Sequence, residues 1–163
     1  MALEPSGVCD RREPRASSRH RWHLTELVWR AGLEPRPEIR NKDQAMEIEG
    51  TTFGTITIDG KTYEHDVIIR LSGEVVKRKK KLSKKYYGTS HVLSKDEAKF
   101  VFESGFEQLI LGSGQMGNVH LSPEAEAYFA KKGCKVLLQP TPKAIGAFNS
   151  SHAKKIGLFH VTC

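Results

Sequence analysis

The chain has 163 residues and a mass of 18.3 kDa, which gives room for one hydrophobic core and little beyond it. With 38% hydrophobic and 28% charged residues it reads as an ordinary soluble domain, and no apolar run approaches the roughly 20 residues that cross a bilayer. A net charge of +7 admits anionic partners without locating a site for them, and membrane insertion is not expected.

The composition changes at Met46. Residues 1–45 hold eight Arg, one Lys and both Trp, whereas residues 46–163 hold 15 Lys, two Arg and no Trp. The first stretch lacks the apolar core of a secretory signal, and its seven acidic residues argue against an organelle transit peptide. The spacing allows a two-turn helix over 24–31, with Thr25 as a cap and Gly32, Pro35 and Pro37 as stops. Residues 1–45 therefore read as a disordered extension or a spurious upstream segment, and residues 46–163 as the working domain.

The body opens with an alternating run at 53–58, followed by an Asp59-Gly60 hairpin turn. Further strands at 66–71 and 74–77, separated by Ser72-Gly73, complete a small antiparallel meander. Ser94 with Glu97 forms a capping box ahead of Ala98, Phe100, Val101 and Phe102, and Gly105 ends that helix. A buried strand follows at 109–111, then Gly112-Ser113-Gly114 as a strand-to-strand turn and extended chain around Val119 and Leu121. Ser122-Pro123-Glu124 starts a helix that stops at Lys131-Lys132-Gly133. After a strand at 136–138, Thr141-Pro142 repeats the cap-then-Pro signature, with Ala144, Ile145 and Phe148 as the apolar side. The run 158–161 is a terminal strand that adds to the sheet. This order predicts an α/β fold in which helices cover both faces of a mixed central sheet with an N-terminal β-meander.

Three features carry candidate chemistry. Gly112, Ser113 and Gly114 follow an apolar strand, where an open α/β sheet places ligands, and closely spaced glycines can present backbone N–H groups to an anion. The helix and acidic ribose partner of a dinucleotide fingerprint are missing. Thr89, Ser90 and His91 form a polar cluster; Thr89 and His91 share a strand face, an arrangement that serves either catalysis or the satisfaction of backbone groups. Lys77, Arg78, Lys79, Lys80, Lys81, Lys84 and Lys85 form a basic run followed by Tyr86 and Tyr87. Edge protection or protein docking is its first reading, and contact with a nucleic-acid backbone the weaker alternative. His65, His120, His152 and His160 lack the local spacing of a zinc site, so neither a metal nor a cofactor is expected. Cys9, Cys134 and Cys163 are too few and scattered for a disulfide framework, which suits a reducing, cytoplasmic setting. Cys134 reads as a buried small hydrophobe, and Cys163 as a thiol open to oxidation or intermolecular bridging.

Several motifs in order resemble one family: Phe53-Gly54 with the first hairpin, the lysines leading into Tyr87-Gly88-Thr89-Ser90-His91, Leu109-Ile110-Leu111-Gly112-Ser113-Gly114, the stretch 138–149, and the ending 157–163. They resemble the Mth938-like domain family, the DUF498 group, which includes a small archaeal type, an adipogenesis-associated branch and the mitochondrial complex I assembly factor 3 branch. The resemblance spans about residues 47–163 and implies a three-layer α/β fold without a common chemistry. The lysine-rich Tyr-Gly-Thr-Ser-His segment is similar to the archaeal type. The functional expectation is a non-catalytic adaptor or assembly role through protein contacts or self-association. The alternatives are a small anionic-ligand binder or enzyme with a pocket near His91 and residues 112–114, and a weak nucleic-acid binder.

Overall fold

A computed structural model describes residues 46–163, so the expectations for residues 1–45 lie outside the described residues. Ten strands and four helices are described: β1 Ile48–Thr52, β2 Thr55–Ile58, β3 Lys61–Tyr63, β4 Val67–Ile69, β5 Val75–Lys77, α1 Lys81–Tyr87, β6 Val92–Leu93, α2 Lys95–Val101, β7 Gln108–Ser113, β8 His120–Leu121, α3 Pro123–Lys131, β9 Lys135–Gln139, α4 Thr141–Ser150 and β10 Lys155–His160.

The central sheet has the order β5-β4-β10-β7-β9. Its β10, β7 and β9 strands are parallel, whereas β4 pairs antiparallel with both β10 and β5. Side chains on each central strand alternate between two cores. Leu109 and Leu111 face one cluster with Ile68, Leu158, Val101 of α2 and Phe129 of α3. Ile110 faces the other with Val67, Phe159, Ile145 and Phe148 of α4, and Ile48, Ile56 and Ile58 of the β1-β2-β3 sheet. The layers are thus two helices, the mixed sheet, and a small antiparallel sheet with α4. This is the α/β architecture expected from the strand and helix signals, and burial on both faces explains why 109–111 is a continuous apolar run.

Several local expectations need correction. The opening meander is two structures: β1 to β3 form a separate three-stranded sheet, and β4 and β5 belong to the central one. Phe53-Gly54 is the turn between β1 and β2, and Asp59-Gly60 joins β2 to β3. The first helix of the body, α1, lies inside the lysine run, where only Ser83 is buried and apolar periodicity is too sparse to signal it. Helix α2 ends at Val101, ahead of Gly105, although Ser94 does cap it by accepting from Glu97 N at 3.2 Å. Ser122 caps α3 as expected, whereas Thr141 is no cap: its hydroxyl donates to the His160 carbonyl at 2.6 Å. Gly112 and Ser113 are the last residues of β7, paired with Phe159 and His160, and not a turn. The last strand, β10, lies at the centre of the sheet.

That register decides where polar groups gather. β10 and β7 end side by side at His160 and Ser113, the antiparallel β4 begins at the same edge just after Asp66, and β5 ends there ahead of Arg78. The carboxyl ends of parallel strands are the usual ligand position in such sheets.

Candidate functional site

At this edge sits a buried ion network. Arg78 is 3% exposed, which removes it from the basic surface assigned to it by charge alone. Its Nε donates to Glu97 Oε1 at 2.6 Å, and Nη2 donates to Glu97 Oε2 at 3.2 Å and to the Ser90 carbonyl at 2.9 Å. The third arm, Nη1, reaches Asp66 Oδ2 at 3.2 Å. Ser83 donates to Glu97 Oε2 and accepts from Ser94 N at 2.8 Å. Among the described residues, no buried side-chain nitrogen or oxygen lacks a partner, as a network in low dielectric requires.

Asp66 joins this network to the end of β10. Its Oδ2 is ion-paired with Lys80 Nζ at 3.1 Å and lies 2.6 Å from His160 Nδ1, while Oδ1 accepts from Val161 N at 3.2 Å. Burial raises the Asp66 pKa, but the hydrogen bond and charge of His160, with Arg78 and Lys80, outweigh it and hold the carboxyl well below the usual range. An ionised carboxylate only accepts, so His160 Nδ1 carries the proton. In the neutral ring the lone pair is then on Nε2, 3.0 Å from Thr162 Oγ1 and 3.8 Å from Cys163 Sγ.

The depressed Asp66 value has a pH consequence. Its folded-state pKa lies below the unfolded value of about 3.9, so this stabilisation is complete above that value and is lost as pH falls toward the folded-state pKa. Asp96, held down to about 2 by hydrogen bonds from Lys85 and Tyr86, acts in the same direction. The melting temperature is expected to fall below about pH 4, with a shallower dependence in Asp66→Asn. Equal slopes in the two proteins would remove Asp66 from this account.

The site residues expected from sequence separate into two places. Thr89 Oγ1 accepts from His91 N at 3.2 Å, a local turn bond, and Ser90 contributes its carbonyl to Arg78. His91 Nε2 lies 3.1 Å from Cys163 Sγ, and its ring is edge-on to His160 with centroids 5.6 Å apart. Gly114, at φ +100°, is packed against the carbonyls of Thr162 and Cys163. His91 and Gly114 therefore meet the same segment, 162–163, whereas Thr89 and Ser90 are engaged by His91 N and Arg78, and Gly112 and Ser113 pair with β10.

A cavity of about 700 Å³ lies beside that segment. Lys77, Arg78, Lys79, Lys80 and Lys81 wall it together with Glu64, His65 and Asp66, and Gly54, Leu82, Val161 and Thr162 complete its lining. Lys80 is committed to Asp66, and Lys79 Nζ stands 4.2 Å from the centre of the Phe100 ring. Lys84 and Lys85 are elsewhere on exposed α1, where Lys85 pairs with Asp96 at 2.7 Å. Sequence reasoning missed Asp66, Glu97, His160 and the cavity because their partners are far apart in the chain and leave no local spacing signal.

The family described as a protein of unknown function (DUF498/DUF598) matches residues 48–156. The conserved hypothetical protein PH1505 of Pyrococcus horikoshii is 34% identical, with 72% of this chain and 99% of that chain covered and a TM-score of 0.68. A solved structure called MT938 is 30% identical over 73% of this chain and all of its own, with a TM-score of 0.62. The Xanthomonas campestris protein XCC1710, at 13% identity, 78% and 92% coverage and a TM-score of 0.59, shares the fold. No curated protein matches. Together, the family match and the two relatives at 30% identity or above make this chain a member of the DUF498/DUF598 family of Mth938-like domains.

Proposed function

We propose that this domain binds a small anionic organic molecule in the cavity beside Asp66 and Thr162. The observation that carries this reading is the wall of four lysines around a volume of about 700 Å³, large enough for a metabolite-sized ligand. Lys77 and Lys81 are exposed there without an ion-pair partner among the described residues, so their charge is available to a ligand. Glu64 and Asp66 also line the cavity and would favour a ligand that carries donors as well as an anionic group.

The test is calorimetric titration with a panel of dicarboxylates and phosphate monoesters. One of these classes is expected to bind, with affinity falling roughly tenfold for each contacting lysine replaced in Lys77→Gln and Lys81→Gln, because a charge-assisted hydrogen bond contributes about 1.5–3 kcal/mol. The melting temperature of the free protein should not change, since both side chains are exposed. Absence of millimolar binding across the panel, or identical binding by the variants, defeats the reading.

A second reading, docking of an acidic protein partner in an adaptor role, is supported by Tyr86. The residue is 60% exposed, its hydroxyl is held to Asp96 at 2.6 Å, and Lys85 Nζ lies 4.5 Å from the ring centre. An ordered aromatic beside a cation is a common interface anchor. Partner binding lost in Tyr86→Ala but retained in the Lys77 and Lys81 variants would favour docking over the cavity. Oligonucleotide binding has less support, because Arg78 is buried and Lys80 is paired, which shortens the basic stretch. The free thiols Cys134 and Cys163 fit a cytoplasmic setting, and no helix among the described residues is long and apolar enough to cross a membrane.

A further inference from the structure

We propose that His91, His160 and Cys163 form a two-nitrogen, one-sulfur site for a divalent transition-metal ion, with zinc as the best chemical match. The three residues come from separate parts of the fold: the segment ahead of β6, the end of β10, and the chain beyond it. Their ligand atoms all lie within 4.8 Å of one another. His91 Nε2 and His160 Nε2 are 3.1 and 3.8 Å from Cys163 Sγ. A tetrahedral zinc with Zn–N of about 2.0–2.1 Å and Zn–S of about 2.3 Å would set each nitrogen about 3.6 Å from the sulfur. The two distances straddle that value, so small side-chain adjustments bring the set onto one ion.

Orientation supports the same reading. His160 is buried and donates Nδ1–H to Asp66, which is itself fixed by Arg78, Lys80 and Val161 N. This is the carboxylate–histidine arrangement that fixes the tautomer and aims the other ring nitrogen in metal centres. Cys163 and His91 are half-buried, which leaves room for a fourth ligand from solvent. Imidazole and thiolate donors suit zinc, cobalt or copper and disfavour magnesium and calcium, which require oxygen ligands. Binding is balanced by loss of the Cys163 thiol proton to solvent. The Thr162 hydroxyl, now 3.0 Å from His160 Nε2, must rotate away or accept the role of neighbour to the ion.

A thiol nucleophile with a histidine base fits less well. The ring that Asp66 orients is His160, but its nearer neighbour is Thr162, whereas the ring closest to the sulfur is His91. Base and orienting carboxylate are thus divided between two histidines, while all three donor atoms converge.

Cobalt(II) titration of the full chain tests the proposal. One equivalent is expected to bind, with visible d–d bands of tetrahedral cobalt and a thiolate charge-transfer band, and zinc should displace it. Cys163→Ser should abolish the charge-transfer band, and His91→Ala should weaken zinc binding by at least about 10–100-fold, the range seen even when only a group hydrogen-bonded to a ligand is lost. Thr162→Val should retain binding. Zinc should also protect Cys163 from alkylation. No stoichiometric binding overturns the proposal, as does binding that survives both the Cys163 and His91 variants, which would place the ion elsewhere in the chain. Rapid alkylation of Cys163 unaffected by zinc overturns it too, in favour of a free reactive thiol.

Discussion

Arg78→Ala is expected to destabilise the domain by about 3–5 kcal/mol, the usual consequence of removing one partner from a buried ion cluster. Among the described residues, the guanidinium is the one group that touches both Glu97 and Asp66, with three of its nitrogens engaged. Its loss leaves Glu97, among the described residues, with the Ser83 hydroxyl and its own backbone cap, at a position of zero exposure. Asp66 keeps His160 and Lys80, so the damage is concentrated at the start of α2. For a domain of this size the melting temperature should fall by roughly 10–20 °C. Arg78→Lys keeps the charge but cannot reproduce the fork, and it should recover only part of the loss. Lys80→Gln removes a partly exposed charge and should cost about 1 kcal/mol or less. Chemical denaturation of the three variants at neutral pH gives the order. A loss below 1 kcal/mol for Arg78→Ala would mean that the network relaxes or admits water, and that Arg78 is not its keystone.

Arg78 also marks the boundary of what the sequence makes legible. Elements that depend on neighbouring residues were readable: the Ser94 and Ser122 caps, the continuous apolar run of β7, and the apolar side of α4. The family resemblance likewise rested on contiguous motifs. Elements without an apolar period were not readable. Strand β3 has two exposed residues out of three, and α1 buries only a serine. Charge in a local window could not distinguish Arg78 from the lysines around it, because its partners lie 12 and 19 residues away. The cluster of His91, His160 and Cys163 spans 72 residues and depends on β10 entering the sheet between β4 and β7. Its geometry is a property of strand order, which periodicity does not encode.

Gly114→Ala tests that geometry from the opposite side and is expected to cost about 2–5 kcal/mol, from a strained positive φ together with overpacking. The new Cβ would overlap the Cys163 carbonyl oxygen and lie 2.8 Å from that of Thr162. Gly114 has little freedom to retreat. Its N–H donates to Thr141 Oγ1 at 2.9 Å, and its carbonyl accepts from Thr141 N at 2.9 Å. Thr141 in turn donates to the His160 carbonyl, so β7, α4 and β10 are tied together at this point. The less tightly held side is the segment 162–163, whose backbone is fixed to this turn through Gln115 N and the Thr162 carbonyl at 3.0 Å. Displacing that segment separates Cys163 Sγ from His91 Nε2, and zinc affinity should fall together with stability. Gly133→Ala is the control: its φ is +70°, but nothing lies within 4 Å of the added carbon. That variant should show only the conformational cost, about 1–2 kcal/mol, with zinc affinity unchanged. Thermal unfolding and zinc titration on both variants separate backbone strain from the steric clash. Equal losses in the two, with metal binding retained in Gly114→Ala, would show that the close approach of residues 162–163 to Gly114 does not hold the site together.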